Sequence, residues 1–161
     1  MADGAKLNVQ SFPRPPLLEK TPRHIRITYH GAEIVDTRDA YWVLETHHPP
    51  TYYIPRSAVK LKLTPTSRRT VCEWKGAATY YTARITDDEE LATDLVWSYE
   101  EPTKTFAALR GHVALRADGP WECSVDGQRV EAQPGGFYGG WVTPDVEGVV
   151  KGRRGNWDPQ V

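Results

Sequence analysis

Short runs of β-branched and aromatic residues, each cut off by proline, glycine or a cluster of charge, limit this chain to a many-stranded antiparallel fold. The runs are residues 41–46, 51–54, 60–63, 70–74, 79–85, 95–99 and 113–115. Two further segments read as hairpins. In the first, Ile25, Ile27 and Tyr29 alternate before His30-Gly31, and residues 33–36 return. In the second, residues 121–125 and 128–131 flank Asp126-Gly127, a pair suited to the positive φ angles of a two-residue turn. Helix is scarce. Residues 57–59 make at most a single turn, and residues 103–109 form the one short helix, with Thr103 as N-cap after Pro102 and Gly111 beyond the end.

Length and composition point to one globular core, since 39% of the residues are hydrophobic and six Trp and eight Tyr supply much of the bulk. No apolar run approaches the roughly 20 residues of a membrane span, and the first residues lack the apolar stretch of a signal peptide. A cytoplasmic protein with no membrane partner is expected. Twenty basic and 21 acidic residues leave a formal net charge of −1, which sets up no global field toward nucleic acid. Cys72 and Cys123 have neither CxxC nor short Cys/His spacing. Reduced thiols, no metal site and no cofactor are expected, with a single bridge between the two left open.

Residues 1–10 carry no periodicity and are expected to fray as a flexible tail. Three prolines within residues 11–16 then fix an extended arm laid on a surface; the PxxP match from Pro13 to Pro16 is the competing polyproline reading. Residues 11–161 are expected to form a single domain. It includes the glycine-rich, aromatic tail from Pro134 through Phe137, Tyr138 and Gly139 to Trp141, which has aromatics enough to dock.

Several strings in this chain are long and unusual: Pro13-Arg14-Pro15-Pro16, residues 43–55 around Glu45-Thr46-His47-His48-Pro49-Pro50, residues 72–80 around Cys72-Glu73-Trp74-Lys75-Gly76, and Trp97-Ser98-Tyr99 followed by Pro102. Together they resemble the family known as domain of unknown function 427, also labelled nucleotidyltransferase-like, and the resemblance covers most of the chain. It implies a mainly β fold of the β-tent kind, two antiparallel sheets leaning together with a cleft between them and one short helix. Zinc-bearing domains of that architecture hold metal with paired CxxC motifs, which this sequence lacks, so zinc is not carried over. Nucleotidyl transfer needs a Gly-Ser turn and carboxylates at i and i+2 to hold a divalent metal. The sequence has neither a Gly-Ser nor an Asp-x-Asp, and no P-loop or GxGxxG.

Period-two geometry puts Tyr41, Val43 and Glu45 on one face of a strand. Glu45 thus ends a strand beside apolar bulk, where a carboxylate either works as a general acid or base, or simply caps the next loop or pairs with a cation. His47 and His48 precede Pro49-Pro50 and should point in opposite directions, with His48 facing inward. Tyr52 and Tyr53 alternate in facing, as do Tyr80 and Tyr81, so each pair offers one ring to the core and one to a cleft or solvent. A lysine beside a thiol favours thiolate, yet in a strict strand Cys72 and Lys75 fall on opposite faces and meet only if Gly76 bends the chain. Asp87-Asp88-Glu89-Glu90 reads as a solvated turn.

The leading expectation is a small organic ligand held in the cleft between the sheets, with Glu45, His48, Tyr52, Tyr53, Lys75 and Tyr80 lining it and Trp97 and Tyr99 supporting it. The alternative is an enzyme of open reaction class in the same cleft, with Glu45 or a Cys72/Lys75 pair doing the chemistry. Single-stranded nucleic-acid binding is the third reading. It draws on Lys60, Lys62, Arg68, Arg69, Lys151, Arg153 and Arg154, and is not expected of a neutral domain. Oligomeric state is left open.

Overall fold

The computed structural model describes residues 6–135 and 138–152. Fifteen strands follow in chain order: β1 (Leu7–Asn8), β2 (Leu17–Lys20), β3 (Ile25–Tyr29), β4 (Ala32–Thr37), β5 (Tyr41–Leu44), β6 (Thr51–Pro55), β7 (Lys62–Cys72) and β8 (Gly76–Thr86). Then come β9 (Glu89–Ser98), β10 (His112–Leu115), β11 (Glu122–Val125), β12 (Gln128–Arg129), β13 (Glu131–Ala132), β14 (Trp141–Val142) and β15 (Val146–Glu147). Among the described residues no helix is long and apolar enough to cross a membrane.

Seven strands form the larger sheet in the order β2-β5-β6-β10-β9-β8-β7, and four form the second in the order β12-β11-β3-β4. All pairings in both are antiparallel and neither sheet closes into a barrel. The two hairpins read from sequence meet in the smaller sheet, where Cys123 faces Ile27 and Val125 faces Ile25. Their turns need positive φ, and Gly31 (φ +77) and Gly127 (φ +79) supply it.

Alternation along the strands gives the larger sheet two apolar faces. Trp42, Tyr52, Ile54, Tyr81, Val96, Val113 and Leu115 pack against Ile25, Ile27, Val35 and Val125 of the smaller sheet and form the main core. Their neighbours Val43, Tyr53, Ala78, Tyr99 and Ala114 point the other way and pack with Phe106 and Leu109. Each such fully buried large side chain contributes on the order of 1.5–3 kcal/mol through area removed from water. The space between the sheets is therefore filled by side chains.

Several expectations change in detail. The runs at 60–63 and 70–74 belong to one strand, β7, whose register on β8 shifts between Pro65 and Arg69. Pro65 has no N–H to give the ladder, and β7 is the edge of the sheet, where that is tolerated. The predicted helix at 103–109 is a 3-10 segment, Lys104–Leu109, kinked at Phe106. Thr103 does not cap it with its side chain; the hydroxyl donates instead to the Trp74 carbonyl at 2.7 Å. Nor do residues 7–10 fray. β1 pairs in parallel with β15, and Val9 is fully buried. Residues 1–5 lie outside the described residues.

Candidate functional site

Two connections set the site, the β5–β6 loop and the β7–β8 turn. The β5–β6 loop carries Glu45 and His48 and is tied to the N-terminal arm. Thr46 donates its N–H to Pro13 O (3.3 Å) and its hydroxyl to Phe12 O (2.5 Å), and His47 N–H donates to Val9 O (3.0 Å). His47 is not extended as expected but left-handed (φ +66), and its ring lies against the Val149 carbonyl (3.1 Å). The loop closes with His48 N–H donating to Glu45 O (3.0 Å).

The β7–β8 turn carries Lys75. Thr103 pins it twice, through its N–H to Lys75 O (3.0 Å) and its hydroxyl to Trp74 O. Gly76 sits at φ +110, and a Cβ there would lie 3.2 Å from the Glu101 carbonyl oxygen, so only glycine gives this turn without strain.

These loops and the outward face of the larger sheet enclose a pocket of about 470 Å³. Val43, Tyr53, Tyr80, Trp97 and Tyr99 line it from the strands, and Glu45, His48 and Lys75 from the loops. Of the residues singled out in the sequence, Glu45, His48, Tyr53, Cys72, Lys75, Tyr80, Trp97 and Tyr99 come together here. Tyr52 does not. It lies in the core between the sheets, its ring 6.1 Å from that of Trp42 and 5.3 Å from that of Trp141, with its hydroxyl accepting from Arg23 at 3.1 Å. Burial pushes its phenol up to about 12. The pocket's position is a second correction: it opens on the far face of the large sheet, because the expected cleft between the sheets is occupied by the core.

Burial pushes the Tyr53 and Tyr99 phenols well above their ordinary range, so both stay protonated. His48 goes the other way, down to about 4, chiefly through burial and then through the positive charge of Lys151, with Arg14 and Lys75 adding to it. Gln133 sets the tautomer of this ring, although its hydrogen bond works against the lowering. Its Oε1 accepts from Gly140 N–H (3.1 Å) and its Nε2 donates to Lys151 O (2.8 Å), which fixes the amide's orientation. The same Nε2 is 3.0 Å from His48 Nδ1, which therefore accepts, leaving the proton of the neutral ring on Nε2. His48 thus presents an N–H donor at neutral pH.

Lys75 is only 9% exposed, and its ammonium lies 5.8 Å from the centroid of the Tyr99 ring. Among the described residues no carboxylate pairs with it. Glu45 likewise has no cation on its carboxylate, and no hydrogen bond joins Cys72 to Lys75 among the described residues. Both cysteines are free; Cys123 is buried, its thiol pushed up to about 12. Lys60 and Lys62 are held by Glu33 and Asp87, each at 2.7 Å, whereas Arg69 donates to the Thr66 and Arg68 carbonyls and Arg68 lies over the Tyr80 ring, neither with a carboxylate partner among the described residues. Arg153 and Arg154 lie outside the described residues. Among those described, no three His, Cys, Asp or Glu side chains gather as a metal site.

The sequence did not point to Gln133, Gly140 or Thr70 in the lining; Arg68 and Lys151 entered only through the basic runs of the nucleic-acid reading, and Gly139 only as part of the tail. The signal for Gln133, Gly139 and Gly140 was the expectation that the aromatic tail docks. Phe137 of that tail lies outside the described residues.

An open antiparallel sheet whose outer face carries a recess walled by aromatics and loop-borne polar groups defines a β-rich domain with a preformed pocket. Residues 17–131 match the family model described as Domain of unknown function (DUF427), labelled NTP_transf_9, and the chain belongs to that family. No curated protein matches the chain. The match ends before Gln133, so one wall of the pocket is built by residues that follow the matched region.

Proposed function

We propose that this chain is a binding module for a small organic molecule, held in the pocket on the outer face of the large sheet. The observation that carries this reading is convergence: Tyr53, Tyr80, Trp97, Tyr99 and Tyr138 surround a space of about 470 Å³ into which the loops bring Glu45, His48 and Lys75. Sites for small ligands have this size and this mixture of aromatic walls with a few polar groups. The proposal sets this binding in the cytoplasm, on the support of two free cysteines, which suit a reducing compartment.

Native mass spectrometry of the protein purified from cells is expected to show a non-covalent adduct of small-molecule mass. A Gly139→Val variant should lose it. A Cβ at Gly139 would stand 2.4 Å from the Trp97 ring, so a side chain there must push that ring out of its place in the pocket wall. No adduct on the unaltered protein, together with no saturable change in tryptophan fluorescence across a small-molecule library, would sink the proposal.

A further inference from the structure

Three cationic side chains, Arg68, Lys75 and Lys151, line the pocket against one carboxylate, Glu45, in a chain whose formal net charge is −1. The excess is local. Arg68 lies over the Tyr80 ring at 4.5 Å and Lys151 over the Tyr138 ring at 5.8 Å, so both cations sit on the aromatic walls. Lys75 is the informative one. Its stem is covered while its ammonium opens on the pocket, and no carboxylate among the described residues pairs it. The Tyr99 ring face lies 5.8 Å away and supplies no counter-charge. Glu45 shares the lining, yet no ion pair joins the two. Beside this cluster His48 is neutral and offers its Nε2–H, a second donor without an acceptor among the described residues.

A pocket lined by an ammonium without a counter-charge and by an open donor suits an acceptor that carries negative charge. We infer, resting on the small-molecule reading above, that the ligand is an aromatic or otherwise planar organic anion whose carboxylate or phosphate is held by Lys75 and the His48 Nε2–H. Its ring lies among Tyr80, Trp97 and Tyr99, where each face presents π surface to the ligand body. The anion supplies the counter-charge that the fold withholds from Lys75, and burial makes that contact stronger than it would be in water.

The test uses matched probes: naphthoate, naphthyl phosphate and uncharged naphthamide, titrated into the full chain by calorimetry, with the contact located by the amide and indole shifts of Trp97. At least one of the two anions is expected to bind about 10- to 100-fold more tightly than the amide, as a charge-assisted hydrogen bond warrants. Which anion wins separates carboxylate from phosphate as the recognised group. In Lys75→Met the preference should vanish while the melting temperature holds, since the variant keeps the covered stem and breaks no ion pair of the fold; Lys75→Gln should also lose it. Trp97→Leu should weaken all three probes and keep the preference.

Equal binding of anion and amide in the pocket overturns the inference and leaves the binding proposal standing. A preference that survives Lys75→Met and Lys75→Gln overturns it too. If none of the probes shifts Trp97 at any concentration, the inference falls, and the adduct and library measurements above decide the binding proposal separately.

Discussion

Asp145→Ala is expected to lower the stability of the fold by about 3–5 kcal/mol, the usual cost of orphaning a buried charge. Asp145 is 9% exposed and bonds the Arg23 guanidinium, which is itself only 5% exposed, while accepting from the Thr143 hydroxyl. Arg23 has few other resources. Its NH1 donates to the Tyr52 hydroxyl at 3.1 Å and its plane lies 5.5 Å from the Trp42 ring, but its Nε has no partner. Arginine cannot shed its proton, so without Asp145 a permanent charge stays in the core. Urea unfolding of the single variant measures the loss. Arg23→Met combined with Asp145→Leu should recover most of it, because removing both members leaves no orphan. If the double variant is as unstable as the single one, the cost lies in packing and the charge argument is wrong.

The same pair shapes the response to acid. Burial alone would raise the Asp145 carboxyl, but the bonds from Thr143 and Arg23 and the Arg23 charge outweigh it and hold the group below the usual carboxylate range. A group depressed in the folded state stabilises it above its unfolded pKa of about 4, and that contribution fades as pH falls through the folded value. Wild-type stability should therefore drop below about pH 4, and Asp145→Ala should show a shallower acid limb on top of its lower plateau. Asp36, Asp87 and Asp118 are shifted in the same direction by His24, Lys62 and Arg116. They lie nearer the surface, where water and salt screen such pairs, so their share of the acid limb is small.

Period-two alternation is why so much of this protein could be read from its sequence. It separated Trp42 from Val43, and it correctly required that Tyr52 and Tyr53 face opposite ways. It could not say which face was the core, because both faces of the large sheet are apolar: Tyr52 and Tyr53 are each 1% exposed, one in the core and one beneath the pocket. The cleft was sought between the sheets for the same reason. Proline reasoning singled out His48 over His47, whose left-handed backbone had no local signature. Long-range partners were out of reach altogether. Gln133 acts on His48 across 85 residues and Asp145 on Arg23 across 122, and neither pairing leaves a mark on the local pattern. The edge strand β2, residues 17–20, was missed because Leu17-Leu18-Glu19-Lys20 has no alternation to detect.

Trp141→Ala is expected to cost about 3–5 kcal/mol and, beyond that, to loosen the pocket wall that the tail supplies. Trp141 is 1% exposed; its N–H donates to Pro50 O and its indole to Leu115 O, both at 2.8 Å, while its ring packs on Tyr52. Through β14 it holds β13 in register, Ala132 facing Trp141, and the next residue is Gln133. Loss of the indole thus removes core volume at one end and frees the Gln133–His48 contact at the other. His48 reports that second effect separately from stability. Its pKa of about 4 depends first on burial, so NMR titration of the imidazole in Trp141→Ala should find it raised toward 6.5. Trp141→Phe keeps most of the ring and should move both readouts less. A variant that loses several kcal/mol while His48 still titrates near 4 would mean that the wall stands without this anchor, and that the tail holds its place over the pocket through Gln133 and Lys151 alone.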